Sequence, residues 1–484
     1  MGKRAGAGVA ACVLSGLLLG GTASAQDAIG ARRTVWERAD IEVQRPRIDA
    51  FAGEYRAFLS AHKTEREVVQ WGTATLDAAG FRRVPPVGLK AARPGDGLYW
   101  VERGKALVAV RVGRRPAAEG VRVLAAHIDA VRIDLKQNPL YEDGNLALAQ
   151  THYYGGLKKY QWLSRPMSLR GAVVLAGGRR IDVRIGDGPD EPVLVIPDLL
   201  AHLSAQVDAE EGEQVAGESL DPIMGSRPRV EEGEEVSEPV TPSVRQAIVE
   251  LLASRYGFGE AELRTAELTL VPAGPAVDVG LDRSMIGGYG QDDRACAFAA
   301  MRALLDGPVP DVTSVVVWVD KEEIGSTGNT GAQSDLLARV VGELIEAQGP
   351  FTEQRLRRAF RRSEALSADA TLAANPLYPG VVDPRNVGLI GAGPVMDQSG
   401  VHAEFMAAIA ERLERADITF QTGEFGRANG PRTEDGTVLP YLSRTGMNAM
   451  DLGIPLLSMH APFEVISRAD LWEAYRAYGV FLRD

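Results

Sequence analysis

The spacing of apolar residues changes from helical to strand-like along the chain, and it predicts a mixed α/β protein. Between Thr64 and Gly80, apolar residues recur at helical intervals behind a capping box of Thr64 and Glu67, which predicts an amphipathic helix. Runs rich in β-branched residues follow, bounded by Gly, Arg or Pro, and predict strands at 98–101, 106–112 and 121–126. The last of these runs ends at His127.

The middle of the chain has a different pattern, in which β-like segments are not separated by helices. These segments lie at 166–176, 180–185 and 193–196. A stretch rich in Glu, Pro and Gly then covers residues 209–242, and its composition is typical of a solvated or partly disordered loop. We therefore expect residues 144–276 to form an inserted, mostly β domain.

Helix and strand patterns alternate again after this insertion. The last is an amphipathic helix that opens at Ser467 and Asp470. We expect residues 26–143 and 277–484 to form one α/β domain together. A chain of 484 residues with 45% hydrophobic composition is long enough for two domains with a large core.

The N-terminus has the pattern of a cleavable secretory signal over residues 1–25. A basic start is followed by an apolar run over 9–19 and small residues up to Ala25, so the mature chain would begin at Gln26. The alternatives are a membrane anchor, for which the run is shorter than the roughly 20 residues required, and lipidation at Cys12. The sequence thus predicts export to the periplasm or secretion, with no membrane association of the mature form.

The charge of the mature chain argues against nucleic acid as a partner. Without Lys3 and Arg4 it has 51 basic and 65 acidic residues, a formal net charge of −14. Cys296 would be its single cysteine, so an exported chain would be stable without an internal disulfide. We expect the Cys296 side chain to be buried among apolar residues.

The candidate chemistry lies where predicted strands end. Glu322 and Glu323 follow the apolar run 312–319, and open α/β sheets bind ligands beyond the carboxyl ends of their strands. Comparable polar segments lie at 126–129, 291–294, 367–369 and 458–460. Their histidines and carboxylates suit a divalent metal such as zinc, with cobalt or manganese as alternatives. Asp129 lies two residues after His127, so a continuing strand would let it orient the imidazole.

Six motifs in one order carry a resemblance to a known family. They are Ala126-His127-Ile128-Asp129, Asp134-Leu135-Lys136-Gln137-Asn138-Pro139-Leu140-Tyr141-Glu142, Tyr153-Tyr154-Gly155-Gly156, Glu322-Glu323-Ile324-Gly325-Ser326, Ser367-Ala368-Asp369 and Leu457-Ser458-Met459-His460. The chain resembles the aspartyl aminopeptidase and aminopeptidase I family of dinuclear zinc peptidases over nearly its whole mature length. The resemblance implies a three-layer α/β/α catalytic domain and an inserted β domain used for assembly.

The same resemblance implies the roles of the site residues. Two zinc ions would be held by His127, Asp292, Glu323, Asp369 and His460. Asp292 would bridge the two ions, Glu322 would be the general base, and Asp129 would orient His127. The expected activity is removal of N-terminal residues from short peptides, by a homo-oligomer that the resemblance suggests is a dodecamer.

Alternatives remain open for several of these residues. Asp293 could exchange roles with Asp292, and both could instead cap the helix that begins near Arg294. Asp369 and His460 could have structural hydrogen-bonding roles. For the whole protein, the alternatives are a non-catalytic, metal-stabilised assembly or peptide-binding protein, and a related amide hydrolase such as a deacylase.

Two positions depart from the family pattern. Ala130-Val131 replaces the usual Ser-Pro, which affects the expected shape of the turn after Asp129. Asp397 stands where bacterial relatives often have a lysine. It could favour a cationic substrate side chain or face water, and the sequence alone favours water.

Overall fold

A computed structural model describes residues 32–85, 88–203, 215–228, 243–397, 402–424 and 436–483. The predicted signal, Cys12 and most of the acidic stretch 209–242 lie outside the described residues. Among the helices that are described, none is both long enough and apolar enough to cross a membrane.

The secondary structure alternates between helices and strands on both sides of a β-rich middle region. The helices are α1 (Ile41–Ala61), α2 (Glu65–Ala78), α3 (Val244–Tyr256), α4 (Glu260–Leu263), α5 (Gln291–Asp306), α6 (Leu336–Gln348), α7 (Glu353–Arg361), α8 (Ala403–Arg415), α9 (Leu439–Ser443) and α10 (Arg468–Arg483). The strands are β1 (Arg82–Arg83), β2 (Gly97–Glu102), β3 (Ala106–Arg111), β4 (Val121–His127), β5 (Arg132–Asp143), β6 (Leu146–Tyr154), β7 (Met167–Val174), β8 (Arg180–Ile185), β9 (Ile223–Gly225), β10 (Glu267–Pro272), β11 (Val277–Val279), β12 (Met285–Gly288), β13 (Thr313–Val319), β14 (Glu364–Ser367), β15 (Thr371–Leu372), β16 (Val395–Asp397), β17 (Gln421–Gly423), β18 (Asn448–Gly453), β19 (Pro455–Leu457) and β20 (Glu464–Ser467).

The largest sheet has the strand order β1-β2-β3-β13-β4-β14-β18-β16-β17. Its centre is parallel, because β4 pairs in parallel with β13 and β14, and β14 in parallel with β18. Antiparallel pairings join β3 to β13 and β16 to β18. The carboxyl ends of the four central strands therefore meet at one edge.

Helices cover both faces of this sheet. Leu124 of β4 packs into a core shared with α1, α2, α5, α8 and α10, whereas its neighbour Val123 packs into a second core shared with α6, α7 and α9. Burial on both faces explains why the central strands are continuous apolar runs. The result is the predicted three-layer α/β/α arrangement.

A second sheet lies in the middle region, with the order β8-β7-β10-β5-β6-β9 and an apolar core of its own. Its strand β5 begins at Arg132 and forms a long hairpin with β6, so this sheet starts earlier in the sequence than residue 144. Leu194 and Val195 form only isolated bridges in place of the strand expected at 193–196. A five-stranded sheet, β11-β12-β20-β19-β15, lies beside the site.

The predicted helix after Thr64 and the three strands after it are confirmed. Thr64 accepts a hydrogen bond from the amide of Glu67 as its capping box requires, and Gly80 adopts a left-handed conformation with φ 77° just after α2. The final helix is confirmed as α10, but Asp470 does not complete a capping box with Ser467. Its carboxylate instead accepts hydrogen bonds from the amides of Gly391 and Gly393.

Candidate functional site

The parallel strands bring three of the predicted segments to one edge of the large sheet. His127 is the last residue of β4, and Asp369 lies two residues beyond the end of β14. Glu322 begins a 3-10 turn, Glu322–Ile324, shortly after β13. Because β4 lies between β13 and β14, these side chains converge as the sequence predicted.

Asp292 and His460 reach the same place from other elements. Asp292 lies at the start of α5, and His460 lies in the connection between β19 and β20. The Asp292 carboxylate is situated between two imidazoles: Oδ1 is 3.2 Å from Nε2 of His127, and Oδ2 is 3.3 Å from Nε2 of His460. The Asp292 carboxylate therefore brings the two imidazoles, from distant parts of the chain, to one place.

The remaining predicted ligands divide between the two imidazoles. Nε2 of His460 is 3.3 Å from Oε2 of Glu323, and Nε2 of His127 is 3.8 Å from Oδ1 of Asp369. All five predicted ligands are thus brought together. Two clusters of ligand atoms result, Asp292 with Glu323 and His460, and His127 with Asp369 and Asp293.

Asp293 has a place of its own in the site. Its Oδ1 accepts a hydrogen bond from the amide of Ala370 at 3.1 Å, and its Oδ2 is buried without a hydrogen-bond partner. Asp292 and Asp293 both have non-helical backbone angles, and their carboxylates are directed at His127 and Ala370. Asp292 therefore lies between the two imidazoles and Asp293 lies beside Ala370, and neither carboxylate accepts an amide hydrogen bond from the first turn of α5 among the described residues.

The electrostatics of the site favour a bound cation. Buried oxygens of Asp293, Glu323 and Asp369 have no hydrogen-bond partner. Burial, followed by the charge of Asp292, raises the pKa of Glu323, and burial with the charge of Asp293 raises that of Asp369. Carboxylates crowded in this way are costly unless positive charge compensates them. Imidazole and carboxylate donors at these positions suit zinc.

Asp129 connects the two strand ends. Nδ1 of His127 lies 3.1 Å from the Asp129 backbone carbonyl and 3.3 Å from Oδ1 of the same residue. The two carboxylate oxygens of Asp129 also accept hydrogen bonds from the amides of Glu322 and Glu323, at 3.2 and 3.3 Å. The hydroxyl of Tyr154 donates to Oδ2 at 2.8 Å. Asp129 therefore fixes the turn that carries both glutamates as well as the imidazole.

Three contacts were not foreseen from the sequence. Tyr154 belonged to a recognised motif, but nothing local indicated that it would reach Asp129. The carbonyl of Gly156 is 2.9 Å from Nδ1 of His460, a contact that depends on the path of the β5–β6 hairpin. Glu464 accepts backbone hydrogen bonds beside Asp292 and His460, and a lone acid in a short strand gives no sequence signal of that kind.

The expectation that Asp397 faces water is wrong. Asp397 is only 7% exposed, because it lies inside the large sheet, where it pairs in register with Asp451 of β18. Cys296 is fully buried among apolar residues, as expected. Ala130 and Val131, which replace Ser-Pro, are also buried and extend the core of the second sheet.

Comparisons with known proteins agree with this geometry. The family model described as "Aminopeptidase I zinc metalloprotease (M18)" matches residues 58–482. The probable M18 family aminopeptidase 1 of Clostridium acetobutylicum is 36% identical over 471 residues, covering 95% of this chain and 99% of that relative. An M18 aminopeptidase crystal structure from Thermotoga maritima superposes with a TM-score of 0.86 at 37% identity, covering 93% of this chain and 99% of that one. The S. cerevesiae mApe1 dodecamer shares the fold, with a TM-score of 0.73 at 24% identity over 90% of this chain and 97% of that one.

Proposed function

The chain belongs to the aminopeptidase I zinc metalloprotease (M18) family and is a metallo-aminopeptidase, and from that premise we propose a dinuclear zinc site with Glu322 as general base. The observation that carries the proposal is the Asp292 carboxylate, whose two oxygens each face a different imidazole. A single ion would not require this arrangement. Two ions sharing Asp292 would use both of its oxygens.

The five ligands would divide around Asp292. His127 and Asp369, whose ligand atoms also cluster with that of Asp293, would hold one ion with Asp292, which lies 3.2 Å from His127. Glu323 and His460 would hold the other with it. Zinc bound there would act as a Lewis acid toward the scissile carbonyl and the attacking water. Asp129 would keep the His127 ring in orientation from behind, since it lies beside the nitrogen that faces away from Asp292.

Glu322 is suited to moving a proton in this site. It lies outside both clusters of ligand atoms, and its Oε2 is 4.0 Å from Nε2 of His127. Burial raises the pKa of Glu322, with the charge of His127 opposing and that of Asp292 adding to this effect, so the carboxylate is a stronger base than an exposed one. Glu322 would take a proton from the attacking water and return it to the departing amine.

Glu322→Gln tests the general base. We expect kcat to fall by about 10²- to 10⁴-fold, with zinc content unchanged, because the amide cannot accept the proton. Glu353→Gln, at a glutamate whose side chain is 67% exposed on α7, is the matched control and should behave as wild type. Hydrolysis of aminoacyl fluorogenic substrates and metal analysis are the measurements. Wild-type turnover in Glu322→Gln would remove Glu322 from the mechanism.

The number of ions is tested separately. Active wild-type protein should contain two equivalents of zinc, or of cobalt or manganese after exchange, and His460→Ala should contain less. Mass spectrometry of metals after dialysis provides the count. A single equivalent in fully active protein would contradict the dinuclear site while leaving the aminopeptidase assignment intact.

We also propose that the substrates are short peptides and that the protein acts as a homo-oligomer, such as a dodecamer with enclosed sites. In the middle region, Leu199, Leu200 and Leu203 expose 46%, 60% and 47% of their surface, a patch that a second copy of the chain could cover. Sedimentation of wild type should show the oligomer, and Leu200→Asp should shift it toward smaller species. Monomeric, fully active wild type would contradict the proposal.

Export is the remaining proposal, and it is supported by the signal-like pattern before Gln26. Cell fractionation should recover the protein from the periplasm or the medium, with Gln26 as its N-terminal residue by mass spectrometry. A cytoplasmic protein that retains residues 1–25 would contradict it.

A further inference from the structure

Glu464 is a buried acid beside the site to which the mechanism above gives no role. It is the first residue of β20 and is 2% exposed. Its carboxylate accepts hydrogen bonds from three backbone amides, which belong to Gln291, Asp292 and His460. These amides come from two segments that are far apart in the sequence, and each segment carries a predicted ligand.

The two carboxylate oxygens of Glu464 serve different segments. Oε2 accepts from Gln291 at 2.7 Å and from Asp292 at 3.2 Å, and Oε1 accepts from His460 at 2.8 Å. The Gln291 side chain reinforces the link, because its Nε2 donates to the Glu464 carbonyl at 2.6 Å and to the Ile286 carbonyl at 3.1 Å. The start of α5 is therefore tied to β20 through both main chain and side chain.

The segment at His460 needs such a contact. His460 has φ 62°, a left-handed conformation that is unfavourable for a residue with a Cβ. The hydrogen bond from its amide to Oε1 of Glu464, at 2.8 Å, helps to hold that conformation. Glu464 thereby helps select the backbone conformation that directs His460 toward Asp292.

A carboxylate is the side chain that fits this position. Three N–H groups converge on it, and a carboxylate offers acceptors alone on both of its oxygens. An amide would turn its own NH₂ group toward at least one of the N–H donors, whichever way it was oriented. Glutamine would therefore leave one of the two segments without its contact.

We propose that Glu464 is a positioning residue that holds Asp292 and His460 in register, so that both reach the ion they would share with Glu323. The inference rests on the proposed dinuclear site. His460 belongs to one ion position only, whereas Asp292 would also face the other, where His127 and Asp369 provide independent ligands. Loss of the Glu464 carboxyl group should therefore weaken the binding of the ion held by His460 more than the binding of the other ion.

Glu464→Gln is the direct test. Zinc affinity, measured by competition with a chromophoric chelator, should fall about 10- to 100-fold for one equivalent and remain close to wild type for the other. Cobalt titration should show the same split in its visible absorption spectrum. Excess zinc should restore much of the activity, a rescue that a general loss of folding would not allow.

A buried glutamate elsewhere provides the matched control. Glu473 is 1% exposed and also accepts a backbone amide, from Thr419 at 3.0 Å, but it lies on α10 away from the ligands. Glu473→Gln should lower thermal stability, because it alters a buried side chain, while both zinc equivalents should bind as in wild type. Comparing the two variants separates the loss of ligand positioning from the general cost of altering a buried acid.

The outcomes distinguish this inference from the proposed function. One equivalent in wild type would contradict the dinuclear site itself. If wild type binds two equivalents of zinc, two results for Glu464→Gln would overturn the positioning role. One is wild-type affinity at both positions, and the other is an equal loss of affinity at both. If Glu464→Gln does not fold, Glu464→Asp keeps the carboxyl group on a shorter side chain. We expect Glu464→Asp to bind the same zinc equivalent more weakly and the other as in wild type. Wild-type affinity for both equivalents in Glu464→Asp would also overturn the positioning role of Glu464.

Discussion

At the scale of single residues, Gly155 shows how closely the backbone approaches the site. It has φ +79°, and a Cβ placed on it would lie 2.7 Å from Cγ1 of Val131 and 3.2 Å from Oε2 of Glu323. The position therefore excludes a side chain for two reasons, the left-handed backbone and the neighbouring carboxylate. Glycine here leaves Glu323 free to point at His460.

Gly155→Ala should accordingly reduce zinc content and kcat/KM, because the methyl group must displace Glu323 or Val131. Gly144→Ala is the matched control: Gly144 also has positive φ, +54°, but has no atom within 4 Å of the added Cβ. Both variants should lose about 1–2 kcal/mol of stability through the backbone, and only Gly155→Ala should lose metal. Equal metal content in the two variants would contradict the steric argument.

Residues also differ in how far their roles could be predicted from the sequence. Glu322 and Glu323 follow a run of apolar residues, so their place at a strand end could be inferred directly. Glu464 could not be found in this way, because its role depends on three backbone amides that only the folded chain brings together. Asp397 was misjudged because its burial depends on a strand pairing with no local pattern.

At the scale of elements, the parallel strands explain why most of the site could be predicted from the sequence. The β-branched runs predict β4 and β13, and their carboxyl ends must lie together once the strands pair. No periodic pattern of apolar residues marks the connection between β19 and β20 or the kinked start of α5. Their polar segments were visible in the sequence, but the ligand roles of Asp292 and His460 came from the family resemblance, and their meeting point was known only from the fold.

The β5–β6 hairpin adds a link between the second sheet and the site. The Tyr154 hydroxyl, at the end of β6, donates to Asp129, and the Arg132 guanidinium lies 3.7 Å from the centre of the Tyr154 ring. Asp129 in turn holds the amides of both glutamates. The orientation of the turn at Glu322–Ile324 therefore depends on an element outside the large sheet.

Tyr154→Phe should lower kcat/KM by about 10- to 100-fold, the equivalent of losing one hydrogen bond to a charged group. The fold and zinc content should change little, because the ring remains. Tyr141, in the same hairpin, donates a similar bond to Asp221 near β9 at 2.9 Å, and Tyr141→Phe serves as the control. Steady-state kinetics of the two variants decide the matter. A comparable fall in both would attribute the effect to the hairpin's stability and not to Asp129.

At the scale of the whole molecule, the site concentrates acid in a protein that is already acidic, with a formal net charge of −12. Metal binding should consequently contribute to the stability of the fold. At a free zinc concentration one hundred times the Kd, each independent site adds about 2.7 kcal/mol to the free energy of unfolding. Chelation should remove that contribution, and zinc added back should restore it.

The stability of chelator-treated protein should also fall as pH rises. Burial and neighbouring acids raise the pKa values of Glu323 and Asp369 in the folded protein. Acids of this kind bind more protons folded than unfolded, so their contribution is complete below the ordinary carboxylate pKa of about 4 and is lost progressively as pH rises through their raised pKa values in the folded protein. Denaturant titrations at pH 5 and pH 8 should show a larger gap between chelated and zinc-loaded protein at pH 8. An equal gap at both pH values would mean that these carboxylates are compensated without metal.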